Sequence, residues 1–371
     1  MKILADREQL LDSITRIASV VPSRTPKPIL SNVLIHATEH GTAVMASDLE
    51  ASIRLSCLGV KVDQPGSAVL PMPKIVQILR SCHDDDELAI EVDGGVLHIR
   101  GHRSAFKLAS EDPTLFPEPP RHPGNGFALN ADELATAIKR TAFATDESST
   151  RYALSGVLFD PTDSGFAVVG TDGRRMAKQE LSQGYASEGI ERPDPAPVIP
   201  VKALKLIDRN LDHDEPVLLH VDPGNSVAVK TGRAEIWSRL VEGRFPAYQQ
   251  VIPESYTHRV TFSQSDALLS AVEQAAIVTS KESRGVDFHF SDGLLKLASQ
   301  TADIGESHVE LPVDGNAELT VCLDASYATE MLRTLDGDEP VTLEMTDEKS
   351  AVVFRVGESY IHVLMPLNRD R

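Results

Sequence analysis

Short apolar runs that lead into helix-spaced apolar residues recur along the chain. Leu10 and Ile14 follow the run "MKILAD", and Leu134 and Ile138 follow "GFALN", at the spacing of a buried helix face. Asp, Asn or Ser with an acid or amide three residues later is typical of a helix start, because these side chains bond free backbone N–H groups. The predicted starts are Asp6 with Gln9, Asn130 with Glu133, and Ser263 with Asp266.

Three further stretches, 73–82, 201–211 and 325–335, also have helical periodicity. Between the helices lie short β-type runs such as "DELAIEV", "GVLHIRG", "SVAVKTG" and "AVVFRVG", which Gly, Asp and Asn turns separate. These patterns predict an α+β protein whose sheets are largely antiparallel.

The same pattern occurs three times at a nearly constant interval. Ala46-Ser47-Asp48, Gly170-Thr171-Asp172 and Ala298-Ser299-Gln300 follow one another at intervals of 124 and 128 residues. Proline-rich stretches that contain Phe-Pro at 116 and 245 separate the copies of the pattern. The sequence therefore predicts three similar domains, at 1–121, 126–251 and 254–371, each with two helices and a meandering sheet.

The stretch "AVVGTDGRRMAKQEL" (167–181) has two interpretations. Glycines that free backbone N–H groups, followed by Arg174 and Arg175, are what an oxyanion needs, so a phosphate- or nucleotide-binding enzyme is one of them. The other is an ordinary hairpin with two exposed arginines. The related stretches at Ala46 and Ala298 lack the arginine pair, which favours a structural turn that only the second copy has elaborated.

Charge and composition narrow the function further. The 371 residues carry a net charge of −19, so most of the surface repels polyanions and free affinity for DNA should be poor. No apolar run reaches about 20 residues and the N-terminus lacks the features of a signal peptide, which predicts a cytoplasmic protein without a membrane segment. Cys57, Cys82 and Cys322 form neither a disulfide framework nor a zinc motif.

The sequence also lacks the usual signatures of catalysis. It contains no GxxxxGK[ST], GxGxxG, HExxH or GxSxG motif. Asp84 to Asp86 are consecutive and do not converge as metal ligands would, and His36 and His40 have no third ligand in view. A sequence-specific DNA binder would need a basic domain and a recognition helix, and neither is visible. We therefore expect no catalytic residues, no metal and no cofactor.

The chain resembles the bacterial sliding clamp family, the β subunit of DNA polymerase III, over its whole length. The stretches that carry the resemblance are "PSRTPKPILSNVLI" (22–35) with "ASDLEASI", "TRYALSGVLF" (150–159) with "GTDGRRMA", "LVEGRFPAYQQVIP" (240–253) and "YIHVLMPL" (360–367). The resemblance implies a head-to-tail homodimeric ring of six similar domains that encircles duplex DNA. It also implies a non-catalytic processivity factor, cytoplasmic and associated with the nucleoid during replication.

On this resemblance the partners are double-stranded DNA, the alpha subunit of the replicative polymerase, the clamp loader and other clamp-motif proteins, namely repair polymerases, ligase and mismatch-repair proteins. In the family, short peptides of these proteins enter a hydrophobic pocket on the ring face. Gln250 and Arg174 depart from the arginine and histidine that are common in the family. Carried over residue by residue, the pocket comprises Leu154, Thr171, Gly173, Arg174, Arg175, Met176, Pro246, Gln250, Val251, Val363, Leu364, Met365, Pro366 and Leu367.

The resemblance explains how an acidic protein can act on DNA, since a closed ring holds DNA by enclosure and needs only a weakly positive inner wall. Arg24 and Lys27 are the first candidates for DNA contact, because the family contacts DNA through the arginine of the matching "SRT" stretch. Further candidates in or beside the helices are Arg7, Arg16, Lys74, Arg80, Lys139, Arg140, Lys202, Lys205 and Arg209.

Two stretches of opposite charge are candidate edge strands for the joint of the homodimer. "HIRGHRSAFKLAS" is basic, and "ASQTADIGESHVEL" is acidic and includes Glu310. Strand addition between copies would continue the sheets, and charge would fix the pairing. The predicted interface comprises Arg100, Arg103, Phe106, Lys107, Leu108, Asp303 and Glu306.

Overall fold

The structure is a computed structural model that describes residues 1–149, 153–222, 225–280 and 284–367. Of the stretch "TRYALSGVLF", Thr150, Arg151 and Tyr152 lie outside these ranges. Within them, helices and strands follow an order that occurs three times. We call the three occurrences the first, second and third repeat.

The first repeat has the simplest sequence of elements. In chain order they are β1 (Lys2–Asp6), α1 (Arg7–Ile17), β2 (Asn32–Thr38), β3 (Gly41–Ser47), β4 (Ala51–Cys57), β5 (Val60–Gln64), β6 (Gly66–Pro71), α2 (Met72–Ser81), β7 (Glu87–Asp93), β8 (Val96–Arg100) and β9 (Ala105–Ala109).

The second repeat follows the same order, except that one long strand replaces two. Its elements are β10 (Phe127–Leu129), α3 (Ala131–Thr141), β11 (Gly156–Pro161), β12 (Gly165–Thr171), β13 (Arg175–Ala186), β14 (Val198–Pro200), α4 (Val201–Arg209), β15 (Val217–Asp222), β16 (Ser226–Thr231) and β17 (Ala234–Arg239).

The third repeat restores the pattern of the first. Its elements are β18 (His258–Phe262), α5 (Ser265–Ala276), β19 (Gly285–Ser291), β20 (Leu294–Thr301), β21 (Gly305–Pro312), β22 (Asp314–Asn316), β23 (Leu319–Asp324), α6 (Ala325–Leu332), β24 (Val341–Met345), β25 (Val352–Val356) and β26 (Tyr360–Leu364). The predicted α+β class, with antiparallel sheets and two helices in each repeat, is confirmed.

Two of the three predicted helix caps are confirmed, and the third is wrong. The Asp6 carboxylate accepts a hydrogen bond from the Gln9 N–H at 2.9 Å, and the Asn130 side chain accepts one from the Glu133 N–H at 3.0 Å. Helix α5 begins at Ser265, two residues after Ser263. The backbone N–H groups of Ser265 and Asp266 instead donate to the carbonyl groups of Glu339 and Gly337, so distant backbone replaces the cap that the local sequence suggested.

The chain divides into two compact units, each of which is described by itself. The first unit comprises residues 1–135, 183–193 and 202–240, and the second comprises 136–182, 194–201 and 241–371. In the first unit β5, β1, β7, β8 and β9 form one sheet in that order. In the second unit β21, β20, β19 and β23 form another. Strand β9 and strand β21 therefore each lie at the edge of a sheet.

Each unit contains one junction between repeats, and the two junctions are built alike. In the first unit β4 pairs antiparallel with β17, with Ala51 opposite Ser238. In the second unit β13 pairs antiparallel with β26, with Arg175 opposite Leu364. In both cases the strand after the Ser/Thr-Asp turn of one repeat meets the last strand of the next repeat. No helix in the described residues is long and apolar enough to cross a membrane.

Candidate peptide-binding pocket and basic surface

The Gly-Thr-Asp-Gly-Arg-Arg turn between β12 and β13 is held together by its own side chains. The Asp172 carboxylate accepts hydrogen bonds from the backbone N–H groups of Arg174 and Arg175 at 2.9 and 3.0 Å. The Thr171 hydroxyl accepts one from the Gly173 N–H at 3.1 Å and donates one to the Arg175 carbonyl. Gly173 has a φ of +85°, which suits a residue without a Cβ.

These bonds leave no phosphate cradle in the turn. A cradle needs free backbone N–H groups, but those of residues 173 to 175 are all donated internally. The Arg175 guanidinium is buried, and it bonds Asp172 at 3.0 Å, Glu330 at 2.7 Å and the Phe143 carbonyl at 2.9 Å. The turn is therefore a structural hairpin, as its repetition in the sequence suggested.

The first repeat contains the same turn with different side chains. Asp48 accepts from the N–H groups of Glu50 and Ala51, and Ser47 accepts from that of Leu49. Leu49 has a φ of +77° at the position that Gly173 occupies in the second repeat. The hydrogen bonds of both turns thus come from the Ser/Thr-Asp pair, and they form whether or not the next residue is a glycine.

The C-terminal segment lies directly beside this turn. Strand β26 pairs with β13 from Arg175 opposite Leu364 to Gln179 opposite Tyr360. Beyond the strand, the Met365 N–H donates to the Arg174 carbonyl at 3.1 Å. The middle and the end of the chain therefore meet where the pocket is predicted.

An apolar cluster lies beneath this meeting point. Met176, Val363 and Tyr248 are buried in it, and Phe245 and Ile252 pack against it, so the connector around residues 245–252 contributes to the cluster. Three apolar side chains remain exposed near the cluster: Val251 at 48%, Met365 at 47% and Leu367 at 39%. Gly173, Arg174 and Gln250 are exposed as well, while Pro246 and Pro366 are half-buried.

Besides Met176 and Val363, four predicted pocket residues have side chains with little exposure. Leu154 and Thr171 are each 7% exposed and support the surface from below. Two others require a correction, because side chains alternate along a strand. Leu364 belongs to the core cluster on the opposite side of the sheet from Met176 and Val363. The Arg175 guanidinium pairs with Asp172 and Glu330, so it stabilises the turn beside the predicted pocket and does not line the pocket's surface.

Most of the predicted DNA-contacting residues are exposed, but two are buried. Arg7 is buried, and its guanidinium donates to the carbonyl groups of Asp85 and Leu79 and pairs with Glu8. Arg140 is buried against the ring of Tyr360 and donates to both carboxylate oxygens of Glu339 at 2.6 and 2.7 Å. The prediction that these two arginines face DNA is therefore corrected, since their guanidinium groups bond carboxylate and carbonyl groups inside the fold.

Of the remaining candidates, Arg16 and Lys202 make local bonds. Arg16 is half-buried and bonds Asp12 and the carbonyl of Arg209, and Lys202 pairs with Asp48. The exposed candidates are Arg24, Lys27, Lys74, Arg80, Lys139, Lys202, Lys205 and Arg209.

The two predicted interface strands are edge strands, and one exposed residue beside them was not predicted. Arg100 at the end of β8, Arg103 in the following loop and Lys107 on β9 have exposed side chains, while Phe106 and Leu108 on β9 are half-buried. Asp303 and Glu306 are exposed at and after the turn into β21.

Ile277, at the end of α5, is 76% exposed and borders a hollow of about 380 Å³ between α5 and α6. Its helical spacing alone did not distinguish it from a core residue.

Among the described residues, no group of three His, Cys, Asp or Glu side chains is placed to hold a metal ion. The consecutive acids Asp84 to Asp86 form no common site. Asp85 accepts hydrogen bonds from the His102 N–H and the Ser104 hydroxyl, which ties two loops together.

Comparisons with known proteins agree on one family. The DNA polymerase III beta subunit models match in three parts: the N-terminal domain at residues 1–119, the central domain at 128–247 and the C-terminal domain at 249–368. The chain is 29% identical to the beta sliding clamp of Proteus mirabilis over 373 residues, which covers 99% of this chain and 100% of the relative. It is 27% identical to that of Escherichia coli K12 over 372 residues, with the same two coverages.

Solved structures give the same result. A sliding clamp from Pseudomonas aeruginosa bound to griselimycin has a TM-score of 0.91 and 26% identity, and each chain covers 100% of the other. A sliding clamp from Bartonella birtlesii bound to griselimycin has a TM-score of 0.89 and 27% identity, again with full coverage of both chains.

Proposed function

Because the chain belongs to the DNA polymerase III beta subunit family, we propose that two copies of it close head to tail into a ring around duplex DNA. The chain is a sliding clamp, a processivity factor of DNA replication. The proposal concerns how the ring closes, which residues face DNA and which residues capture partners. We propose that it has no catalytic role and no cofactor, and that it is located in the cytoplasm.

The proposed joint of the ring repeats the two junctions inside the chain. At those junctions β4 meets β17 and β13 meets β26. Two strands occupy the equivalent places in the remaining repeats. Strand β21 follows the turn of the third repeat, and β9 ends the first repeat. Both are edge strands within the described residues. Pairing β21 of one copy with β9 of another would complete the series, and two such joints close a ring of six repeats.

The internal junctions also supply a register for the proposed joint. Ala51 and Arg175, the first residues after their turns, lie opposite Ser238 and Leu364, which are the last buried residues of their strands. The equivalent residues at the joint are Gly305 and the half-buried Leu108.

This register brings opposite charges together across the joint. It places Glu306 opposite Lys107 and Glu310 opposite Arg103, as cross-strand pairs of opposite charge. The exposed Ile277 and its hollow lie on the same repeat as β21 and offer apolar area to the second copy.

We propose that the exposed basic side chains on and beside the helices face the enclosed DNA. Arg24 and Lys27 come first, because both are exposed and neither side chain has an ion pair in the described part of the chain. With a net charge of −19, the protein cannot hold DNA by attraction, so these contacts guide sliding while the closed ring retains the duplex.

The pairing of β13 with β26 is the single observation that carries the proposed partner site. It gathers the turn, the connector and the C-terminal segment around exposed Val251, Met365 and Leu367. We propose that this surface binds a short peptide with Leu or Phe anchors from the polymerase alpha subunit, the clamp loader and other clamp-motif proteins. Met side chains adapt to varied ligands, which suits a site with several partners.

Calorimetry with a clamp-binding peptide from the replicative polymerase tests this site. Micromolar affinity is expected for one short motif, about −8 kcal/mol. Met365→Ala should weaken binding about tenfold, because it removes apolar area that the peptide would bury. Met365 is half exposed, so the substitution should leave the fold intact.

Leu49→Ala is the matched control, because Leu49 is an exposed apolar residue of the equivalent turn in the first repeat. It should bind the peptide as tightly as the wild type does. Unchanged affinity in Met365→Ala, in a protein of unchanged molar mass, would mean that the peptide binds elsewhere.

The domain limits 1–121, 126–251 and 254–371 remain part of the proposal. The two compact units divide the chain differently, since the first unit includes β15 to β17 and the second includes β11 and β12. This division is understandable, because the strand junctions tie parts of the second repeat to its two neighbours.

A further inference from the structure

Residues 116–126, called the strap below, connect the first and second repeats and are fastened at both ends. Phe116 is buried in an apolar cluster with Ile29, Leu30 and Met45. At the other end, the Gly126 N–H donates to the Ser187 hydroxyl at 3.1 Å, and the Ser187 N–H returns a bond to the Gly126 carbonyl at 2.9 Å. The middle of the strap is held differently.

Two imidazole rings meet under the middle of the strap. His122 of the strap and His220 of β15 stand edge to face, with ring centroids 6.3 Å apart. His122 Nδ1 accepts a hydrogen bond from the Gly124 N–H at 3.0 Å, so in the neutral ring the proton is on Nε2. That nitrogen and Nδ1 of His220 are buried, and neither makes a well-formed hydrogen bond within the described residues.

The hydrogen bond at His122 argues against a metal between the rings. A metal-binding imidazole donates its second N–H to a neighbour, whereas Nδ1 of His122 accepts one. The pair is therefore a direct contact between two rings and not a metal site.

Five charged groups lie on the strap and on the strands near the pair, and two of them, Lys230 and Glu235, act directly on His122. Arg121 and Glu118 belong to the strap, Arg54 to β4, Lys230 to β16 and Glu235 to β17. Arg54 lies 3.7 Å from Glu118, and Arg121 lies 3.7 Å from Glu235. Glu235 also accepts a bond from the His122 backbone N–H at 3.4 Å. Three cations thus face two carboxylates, and any proton added to the rings increases the positive excess.

We propose that His122 and His220 form a pH-sensitive latch, which holds the strap on the sheet at neutral pH and releases it when the pair takes up a proton. The nearby cations repel a charged ring at this place, and the second ring packed against it keeps water away. Release lets the charged ring regain water.

The direction of the pH dependence follows from the burial of the pair. Burial, and next the charge of His220, lower the pKa of His122 below its ordinary value. The closed strap therefore binds protons less well than the released strap. It is favoured above pH values of about 6.5 and loses that advantage as the pH falls further.

Hydrogen–deuterium exchange on the intact protein tests the latch. Labelling times at about pH 7.5 and about pH 5.5 are scaled to equal intrinsic exchange, so that only structural opening is compared. In the wild type, peptides from the strap should lose about tenfold in protection at the lower pH. His122→Gln and His220→Gln keep a neutral side chain at both pH values, so their straps should stay protected. His40→Gln, an exposed histidine of the first repeat, should behave as the wild type does.

Two further measurements keep the test decisive. Trp237 is the only tryptophan and lies on β17, so its emission at neutral pH shows whether a variant has folded at this junction. Histidine titration by NMR should give the His122 imidazole a lowered pKa in the wild type, which returns toward its ordinary value when His220 is replaced. Equal pH dependence of strap exchange in the wild type and both variants, or two independent ordinary titrations, would overturn the proposal.

Discussion

His362 is fully buried on β26 between the rings of Phe143 and Phe354, whose centroids lie 5.8 and 6.1 Å from that of the imidazole. Within the described residues, neither of its ring nitrogens has a hydrogen-bond partner. Burial, and then the positive charge of Arg175, lower its pKa to about 3. This histidine is therefore neutral in the folded protein over the whole physiological range.

Replacement of His362 by leucine should make the protein less sensitive to acid. The folded pKa of about 3 lies below the ordinary value of 6.5, so unfolding takes up a proton and stability falls as the pH drops below 6.5. At about pH 5 this effect amounts to about 2 kcal/mol. Urea unfolding at about pH 7 and about pH 5 should show that His362→Leu removes most of this difference.

His289→Gln, an exposed histidine on β19, is the control for that experiment. It should keep the pH dependence of the wild type. An equal loss of stability between the two pH values in wild type and His362→Leu would show that other groups govern the acid sensitivity.

Single residues also mark the limit of sequence reasoning. Arg140 has the sequence features of a solvated helix residue, and its burial depends on Glu339, which lies 199 positions away. Arg175 is ambiguous in the same way, because Glu330 comes from the third repeat. Spacing along one element predicts which face is buried, but it does not show which distant carboxylate compensates a buried charge.

At the scale of elements, the hairpin of β12 and β13 depends on two glycines for different reasons. A Cβ added to Gly170 would lie 2.2 Å from the carbonyl oxygen of Thr141, at the end of α3. A Cβ on Gly173 would meet nothing within 4 Å, but its φ is +85°. Close packing of strand on helix constrains the first glycine, and backbone conformation constrains the second.

We expect Gly170→Ala to destabilise the protein more than Gly173→Ala. Overpacking against backbone should cost about 2 or 3 kcal/mol, whereas a left-handed alanine in open space should cost about 1 kcal/mol. Leu49 adopts the same conformation in the first repeat, which shows that a side chain can be accommodated there. Chemical denaturation of both variants measures the difference. A reversed order would contradict the close contact between β12 and α3.

Elements were predicted well where local sequence determines them. The caps at Asp6 and Asn130 formed because their partners are three residues away. The meeting of β26 with β13 was predictable only through the family resemblance. Ser263 failed as a cap because the loop around residues 336–339, far along the chain, supplies carbonyl groups to α5.

At the scale of the whole molecule, the proposed ring depends on the β9–β21 joint. Lys107→Glu should shift the homodimer of about 80 kDa, twice the 40.3 kDa chain, toward monomer, because it places two acids opposite each other at Glu306. Combining it with Glu306→Lys restores opposite charges and should recover much of the dimer. Light scattering at several micromolar concentrations measures both effects.

Lys61→Glu is the matched control for the dimer, since Lys61 is exposed on β5 at the other edge of the same sheet. It should leave the molar mass unchanged. If Lys107→Glu also left it unchanged, or if the wild type were a stable monomer, the proposed joint would be wrong.

The most direct test of the account is whether enclosure, and not affinity, retains the protein on DNA. A chain of net charge −19 should have little hold on DNA in high salt unless the duplex passes through a closed ring. The protein is loaded by its clamp loader and ATP onto a nicked circular duplex, washed in high salt, and the circle is then cut once. We expect retention on the circle and release after the cut. Retention on linear DNA with free ends, or loss from the intact circle, would contradict it.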